Sequence, residues 1–141
     1  MAATHHPALL TYKTTELETS SPLRLVVMLY DGALRFLEEA KAFLERGEVD
    51  TGRERIRRVE RILLALMDAL DRRHHQELSS SLMQIYQYVF SLLERATARS
   101  DARALEDAAR VLRPLGDAWR AAEAQLAKQE AGKGNGHGPT P

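Results

Sequence analysis

Histidine is the side chain best suited to proton or metal chemistry near neutral pH, and two of the five histidines are adjacent, His74-His75. Asp71, three residues before His74, sets a carboxylate and an imidazole one helical turn apart. That is half of the carboxylate and histidine ligand set that helical bundles use for a pair of metal ions. The other half is missing. No Glu-x-x-His occurs, and His5, His6 and His137 stand near the two ends of the chain. The pair reads as a solvated loop, and no metal is expected.

Phosphotransfer is the sharper enzymatic alternative, because a histidine-phosphotransfer domain is a four-helix bundle with one exposed histidine. Such domains carry it mid-helix, with small or basic residues on the next turn. Here Gln76, Glu77 and Leu78 follow, and an acidic neighbour opposes a phosphoryl group. Ser79-Ser80-Ser81 has no base placed with it, and Gly32 is isolated rather than part of a glycine-rich phosphate loop. The arginines at 53, 55, 57, 58 and 61 are broken up by Glu54 and Glu60, with Glu54 and Arg58 at the favourable i,i+4 spacing. They read as a salt-bridged, solvated helix face. No catalytic constellation and no cofactor site is legible, so the chain is expected not to be an enzyme.

Composition narrows the classes further. Lys+Arg and Asp+Glu are both 20, so no basic field exists to hold a nucleic acid backbone. Zero cysteine removes disulfides and thiolate sites and suits a reducing cytosol. The first six residues show no basic and apolar leader, and the longest apolar run, Leu23 to Tyr30, is far below the roughly 20 residues of a membrane span. A soluble, uncleaved, cytoplasmic protein is expected.

What could position functional side chains is a set of amphipathic helices. Ser21 and Pro22 form an N-cap and first-turn pair, opening a helix over about residues 22–46 that stops at Gly47. Its stripe is Val26, Leu29, Ala33, Phe36 or Leu37, Ala40 and Leu44. A second helix, about 50–73, carries Ile56, Val59, Leu63, Leu66 and Leu70. A third, about 76–99, carries Leu78, Leu82, Ile85, Val89, Leu92 and Ala96. The fourth runs from a Ser100-Asp101 cap to about residue 128, with Leu105, Ala108, Leu112, Leu115, Trp119, Ala122 and Leu126. Spacings of three and four joined by short connections specify an all-α, antiparallel up-down four-helix bundle. Pro114 and Gly116 predict a kink in the fourth helix or its division in two. Residues 1–21 read as an irregular N-terminal cap or lid, 22–128 as the bundle domain, and 129–141 as a disordered glycine-rich tail.

The helices hold more apolar surface than one stripe each can use. Seven of the eight residues from Leu23 to Tyr30 are apolar, and second stripes run through Leu23, Val27, Tyr30 and Leu34, then Leu64 and Met67, then Met83, Tyr86, Phe90 and Leu93. Methionine and tyrosine suit adaptable contact surfaces, and a groove receiving amphipathic helices is the natural use. Val27, Tyr30, Leu64, Met67, Met83, Tyr86 and Phe90 are the candidate groove, with Tyr12 and Leu17 as candidate residues of a covering lid.

Tyr12, Thr19-Ser20-Ser21-Pro22 and Met28-Leu29-Tyr30-Asp31-Gly32-Ala33-Leu34-Arg35-Phe36 together resemble the signature of the FliS family of flagellar secretion chaperones. Tyr86-Gln87-Tyr88 with Leu92-Leu93 and Ala96, and Asp117-Ala118-Trp119-Arg120 with Ala122, resemble its third and fourth helices. The similarity spans about residues 12–122; Pro114, Gly116 and the glycine-rich tail depart from it. The resemblance implies a holdase without ATP that binds the C-terminal region of newly made flagellin in the cytoplasm, prevents premature polymerisation and delivers it to the gate of the flagellar type III export apparatus. It also implies an N-terminal segment that lies over part of the cargo surface and moves when flagellin binds. The free protein is expected to be a monomer or weak homodimer.

Overall fold

In the computed structural model, which describes residues 22–70 and 75–136, the chain forms four helices and, among the described residues, no strand: α1 Pro22–Glu45, α2 Val49–Asp68, α3 Gln76–Arg99 and α4 Ala102–Gly136. Ser21, Tyr12 and Leu17 lie outside the described residues. Helix boundaries follow local chemistry. Gly47, at φ +81°, ends α1 in the left-handed conformation. Its N–H reaches the carbonyl of Leu44 at 3.0 Å and the Glu48 N–H that of Phe43 at 2.9 Å, the paired closure that satisfies the last carbonyls of a helix. At α4, the Asp101 carboxylate accepts the N–H groups of Arg103 at 3.0 Å and Ala104 at 3.4 Å, so the expected cap is made.

The described residues fall into two compact units, residues 29–115 and residues 22–28 with 116–136. The larger unit is a four-helix bundle. Its buried core is Leu29, Tyr30, Ala33, Leu37, Ala40 and Leu44 from α1, Ile56, Val59, Leu63 and Leu66 from α2, Leu82, Tyr86, Val89, Leu92, Leu93 and Ala96 from α3, and Ala104, Leu105, Ala108 and Leu112 from α4. Cross-contacts give the directions. A Cβ on Gly52 would stand 2.8 Å from Leu44, and one on Gly32 3.3 Å from Ile62, so the start of α2 lies on the end of α1 and the two run antiparallel. Arg53 Nε donates to the carbonyl of Thr97 at 3.2 Å, pairing the start of α2 with the end of α3. Lys41 and Glu106, 2.7 Å apart, pair late α1 with early α4. In the smaller unit Val27 is buried, and Arg24 pairs with Glu123 at 3.0 Å.

Three details differ from the sequence expectation. First, α2 ends at Asp68 rather than near 73, because Leu70 N bonds the Met67 carbonyl at 3.2 Å and tightens the last turn. Second, α3 buries Leu82, Val89, Leu92 and Ala96 of the expected stripe but turns slightly, so that Ser79, Tyr86 and Leu93 go inside in place of Leu78 and Ile85. Ser79, Leu82, Tyr86, Val89 and Leu93 are buried, while Leu78 is 50% exposed and Ile85 half-buried. Both sets step by three and four, and the choice rests on Tyr86, whose hydroxyl finds a partner inside. Third, α4 continues through Pro114 as one helix rather than dividing in two. Pro114 is exposed, so the Arg110 carbonyl it leaves unbonded can meet water, while buried Leu112 holds the inner face.

Candidate partner-binding face

The nine candidate residues separate by environment. Tyr12 and Leu17 lie outside the described residues. Val27, Tyr30 and Tyr86 are inside, each 1% exposed or less. The Tyr30 and Tyr86 hydroxyls meet at 2.6 Å across α1 and α3. Burial, and then the hydrogen bond to Tyr30, push the Tyr86 phenol far above its ordinary pKa, so it stays protonated and structural. Leu64, Met67, Met83 and Phe90 remain at the surface, Leu64 by 52% and the others in part.

Those four share one face. The Arg53 contact marks which edge of α2 turns toward α3, and 3.6 residues per turn bring Glu60, Leu64 and Met67 round to that edge. On α3 the edge of Thr97 is also that of Glu94, Phe90 and Met83. Counting along the antiparallel pair from Arg53 and Thr97 sets Glu60 about level with Phe90, and Met67 with Met83. The α2 and α3 helices pack directly on one another, so these side chains make a seam of flexible apolar groups with a carboxylate end. The Glu60 carboxyl is held above its usual range, chiefly by partial burial and then by the negative charge of Glu94, with Arg57 opposing. Beside the seam, Gln76, Ser79, Ser80, Met83, Gln84 and Gln87 line a groove of about 440 Å³.

A second groove, about 450 Å³, runs between α1 and α4 over Leu34, Leu37, Leu105 and Ala109, with Glu38, Lys41, Glu106, Arg110 and Arg113 along its rim. Sequence reasoning caught Leu34 but not the α4 wall. The signal available was the run of Glu106, Arg110 and Arg113 beside the core stripe. It also missed the exposed Leu78 and Tyr88. On the opposite side of α2, Arg58 stands over the Phe36 ring at 5.3 Å and Arg55 over Phe43 at 5.4 Å. Arg55 also bonds Glu39 at 2.8 Å, and Glu54 bonds Arg58 at 2.6 Å and Arg55. Within the arginine run, Arg55 and Arg58 form a salt-bridged cover for two phenylalanines.

His75 is exposed, just before α3 rather than on it. Among the described residues no group of three or more His, Cys, Asp or Glu side chains could hold a metal ion, and no helix is long and apolar enough to cross a membrane. The chemistry these faces offer is apolar contact edged by charge, which is the chemistry of binding.

Comparison with known proteins agrees with that reading. Residues 5–126 match the family model of the flagellar protein FliS. Proteins named flagellar secretion chaperone FliS are similar over most of this chain. The one from Salmonella typhimurium is 32% identical over 114 residues, covering 80% of this chain and 84% of its own. Those from Bacillus subtilis and Escherichia coli are 28% identical over 123 residues, covering 87% and 91%, and 30% over 103 residues, covering 72% and 76%. A solved structure described as a flagellar chaperone from bacteria shares the fold, with a TM-score of 0.68 at 19% identity over 82% of this chain and 97% of that one. With most of its length matched by the family model, this chain belongs to the FliS family of flagellar secretion chaperones.

Proposed function

We propose that this chain is a cytoplasmic, non-enzymatic carrier for flagellin. It binds the C-terminal region of the newly made subunit, keeps it from polymerising, and presents it to the flagellar type III export gate. The observation that carries this reading is the open seam of Leu64, Met67, Met83 and Phe90 beside a buried core. Flexible methionines accept cargo helices without demanding one geometry. A cargo segment that orders on binding spends roughly 2 to 5 kcal/mol on ordering, so a long contact remains releasable. Tyr12 and Leu17 belong to a lid over the cargo surface, which would hold the free chain as a monomer or weak homodimer. Tyr30 and Tyr86 serve that surface by holding α1 and α3 together through their hydroxyls.

Co-expression with the cognate flagellin C-terminal segment, followed by pull-down and calorimetry, tests the proposal. A stable complex without nucleotide is expected; a folded chain that captures no flagellin segment would overturn it. Phosphotransfer is tested separately by incubation with a phosphorylated response regulator, where replacing His74 and His75 together should change nothing.

A further inference from the structure

The chain is 28% charged, yet α3 from Leu78 to Leu93 holds no charged residue. Burial does not explain the gap. Along that run Ser80, Ser81, Gln84, Gln87, Tyr88 and Ser91 are all exposed, Tyr88 by 53%. Elsewhere solvent meets charge, at Arg57, Arg58 and Arg61 of α2 and at Arg103, Arg110 and Arg113 of α4. A surface poor in charge that carries tyrosine has the composition of the centre of a protein contact. Across and just beyond this run, Glu77, Ser81, Gln84, Tyr88, Ser91 and Arg95 are exposed and step by four and three, so they form one stripe along the outer side of α3. The stripe is its own complement. Turned end for end about its middle, it sets Glu77 opposite Arg95, Ser81 opposite Ser91, and Gln84 opposite Tyr88. A two-fold contact between identical chains imposes that reversal, so an acidic end meets a basic end twice over.

We propose that two copies of this chain pair through α3, the helices running antiparallel along this stripe. Steps of four and three are those of a coiled-coil seam. Ser81 against Ser91 forms a small layer on each side of the axis, which lets the two helices approach closely. The Ser91 hydroxyl already donates to the Tyr88 carbonyl at 2.6 Å, so covering it strands no donor. At the centre each Tyr88 ring lies over Gln84 of the partner copy. Gln84 lines the groove of about 440 Å³ together with Met83 and Gln87, which gives the ring a recess to enter. Leu78, 50% exposed, and half-buried Ile85 flank the stripe and add apolar contact. The terminal ion pairs fix register and direction. One helix pair about 27 Å long, at 1.5 Å per residue, falls short of a standard stable interface, so the dimer exchanges with monomer.

Sedimentation of the full chain from micromolar to millimolar concentration tests the pairing, with thermal melts to confirm that each variant is folded. A monomer–dimer equilibrium is expected. Tyr88→Ala should raise its dissociation constant at least about tenfold. Glu77→Arg and Arg95→Glu should each raise it about five- to tenfold, and the two together should restore it, because the end pairs are then re-formed with their signs exchanged. The chain has no cysteine, so single thiols can report the register. Oxidising a mixture of Ser81→Cys and Ser91→Cys proteins should trap a disulfide dimer, whereas neither protein alone should, since each position faces the other across the axis. A parent that stays monomeric throughout, a dimer that Tyr88→Ala leaves unchanged, a charge exchange that does not restore pairing, or equal trapping in the single variants overturns the inference. Loss of flagellin capture in Tyr88→Ala with pairing unchanged gives the face to cargo and overturns it too. The carrier reading stands or falls separately, on whether the unmodified chain captures a flagellin segment.

Discussion

Two side-chain pairs mark the extremes of what this bundle does with polar groups. Tyr30 and Tyr86 bury their hydroxyls together at 2.6 Å. Removing one leaves the other without that partner in a site closed to water, which costs about 1 to 3 kcal/mol. Tyr30→Phe and Tyr86→Phe should each lower stability by that order in urea denaturation, and the double variant should lose less than the sum; additive losses would show that the pair is not coupled. Glu60 is the opposite case, a carboxyl whose pKa is raised by partial burial and then by the like charge of Glu94, with Arg57 opposing. A group that binds its proton more tightly when folded contributes stability below its unfolded pKa and loses it as pH rises through the folded value. Glu60→Gln should therefore be more stable than the parent at neutral pH, with the difference closing below about pH 4. Glu54 and Glu106 act in the reverse sense. Glu54 is lowered by Arg58 and Arg55 against desolvation, and Glu106 by its hydrogen bond to Lys41, so what they contribute is lost as acidification passes through their depressed values.

Helix ends carry the next scale of control. The connection from α1 to α2 turns on Gly47 at φ +81°, and α3 closes on Ser100 at φ 51°, a left-handed conformation that a serine adopts at a cost. Gly47→Ala should destabilise the chain by about 1 kcal/mol, and Ser100→Gly should stabilise it by up to about 1 kcal/mol; denaturation midpoints compare the two, and the same sign for both would reject the strain argument. Helix existence was legible because Ile56, Val59, Leu63 and Leu66 repeat at three and four with no competing pattern. Rotation was less so. On α3 two interleaved stripes have equal periodicity, and only a partner for the Tyr86 hydroxyl on α1 turns Ser79, Tyr86 and Leu93 inward and leaves Leu78 outside. Pro114 predicts a kink or a division in two because its local cost is visible in sequence, whereas the exposure that makes it tolerable is not.

At the scale of the whole molecule, the unused apolar surface found in the sequence divides between core and seam. If residues 1–18 act as a lid, they compete with cargo and lower apparent affinity by the fraction of time the surface is covered. Deleting them should tighten binding of a flagellin segment or raise the dimer fraction; calorimetry and sedimentation that both match the intact chain would reject the lid.

By itself the sequence determined four helices, their antiparallel order, the family signature from Met28 to Phe36, and an excess of apolar side chains calling for a partner. These depend on spacing and residue type along one chain. Only the tertiary structure decided which of those side chains stay at the surface: it sent Val27, Tyr30 and Tyr86 inside, left Leu64, Met67, Met83 and Phe90 along the α2 and α3 seam, and placed Glu94 close enough to Glu60 for their charges to act on one another. Helix rotation and cross-helix register set that division. Both are chosen by contacts between residues such as Tyr30 and Tyr86, 56 positions apart, which no local pattern records.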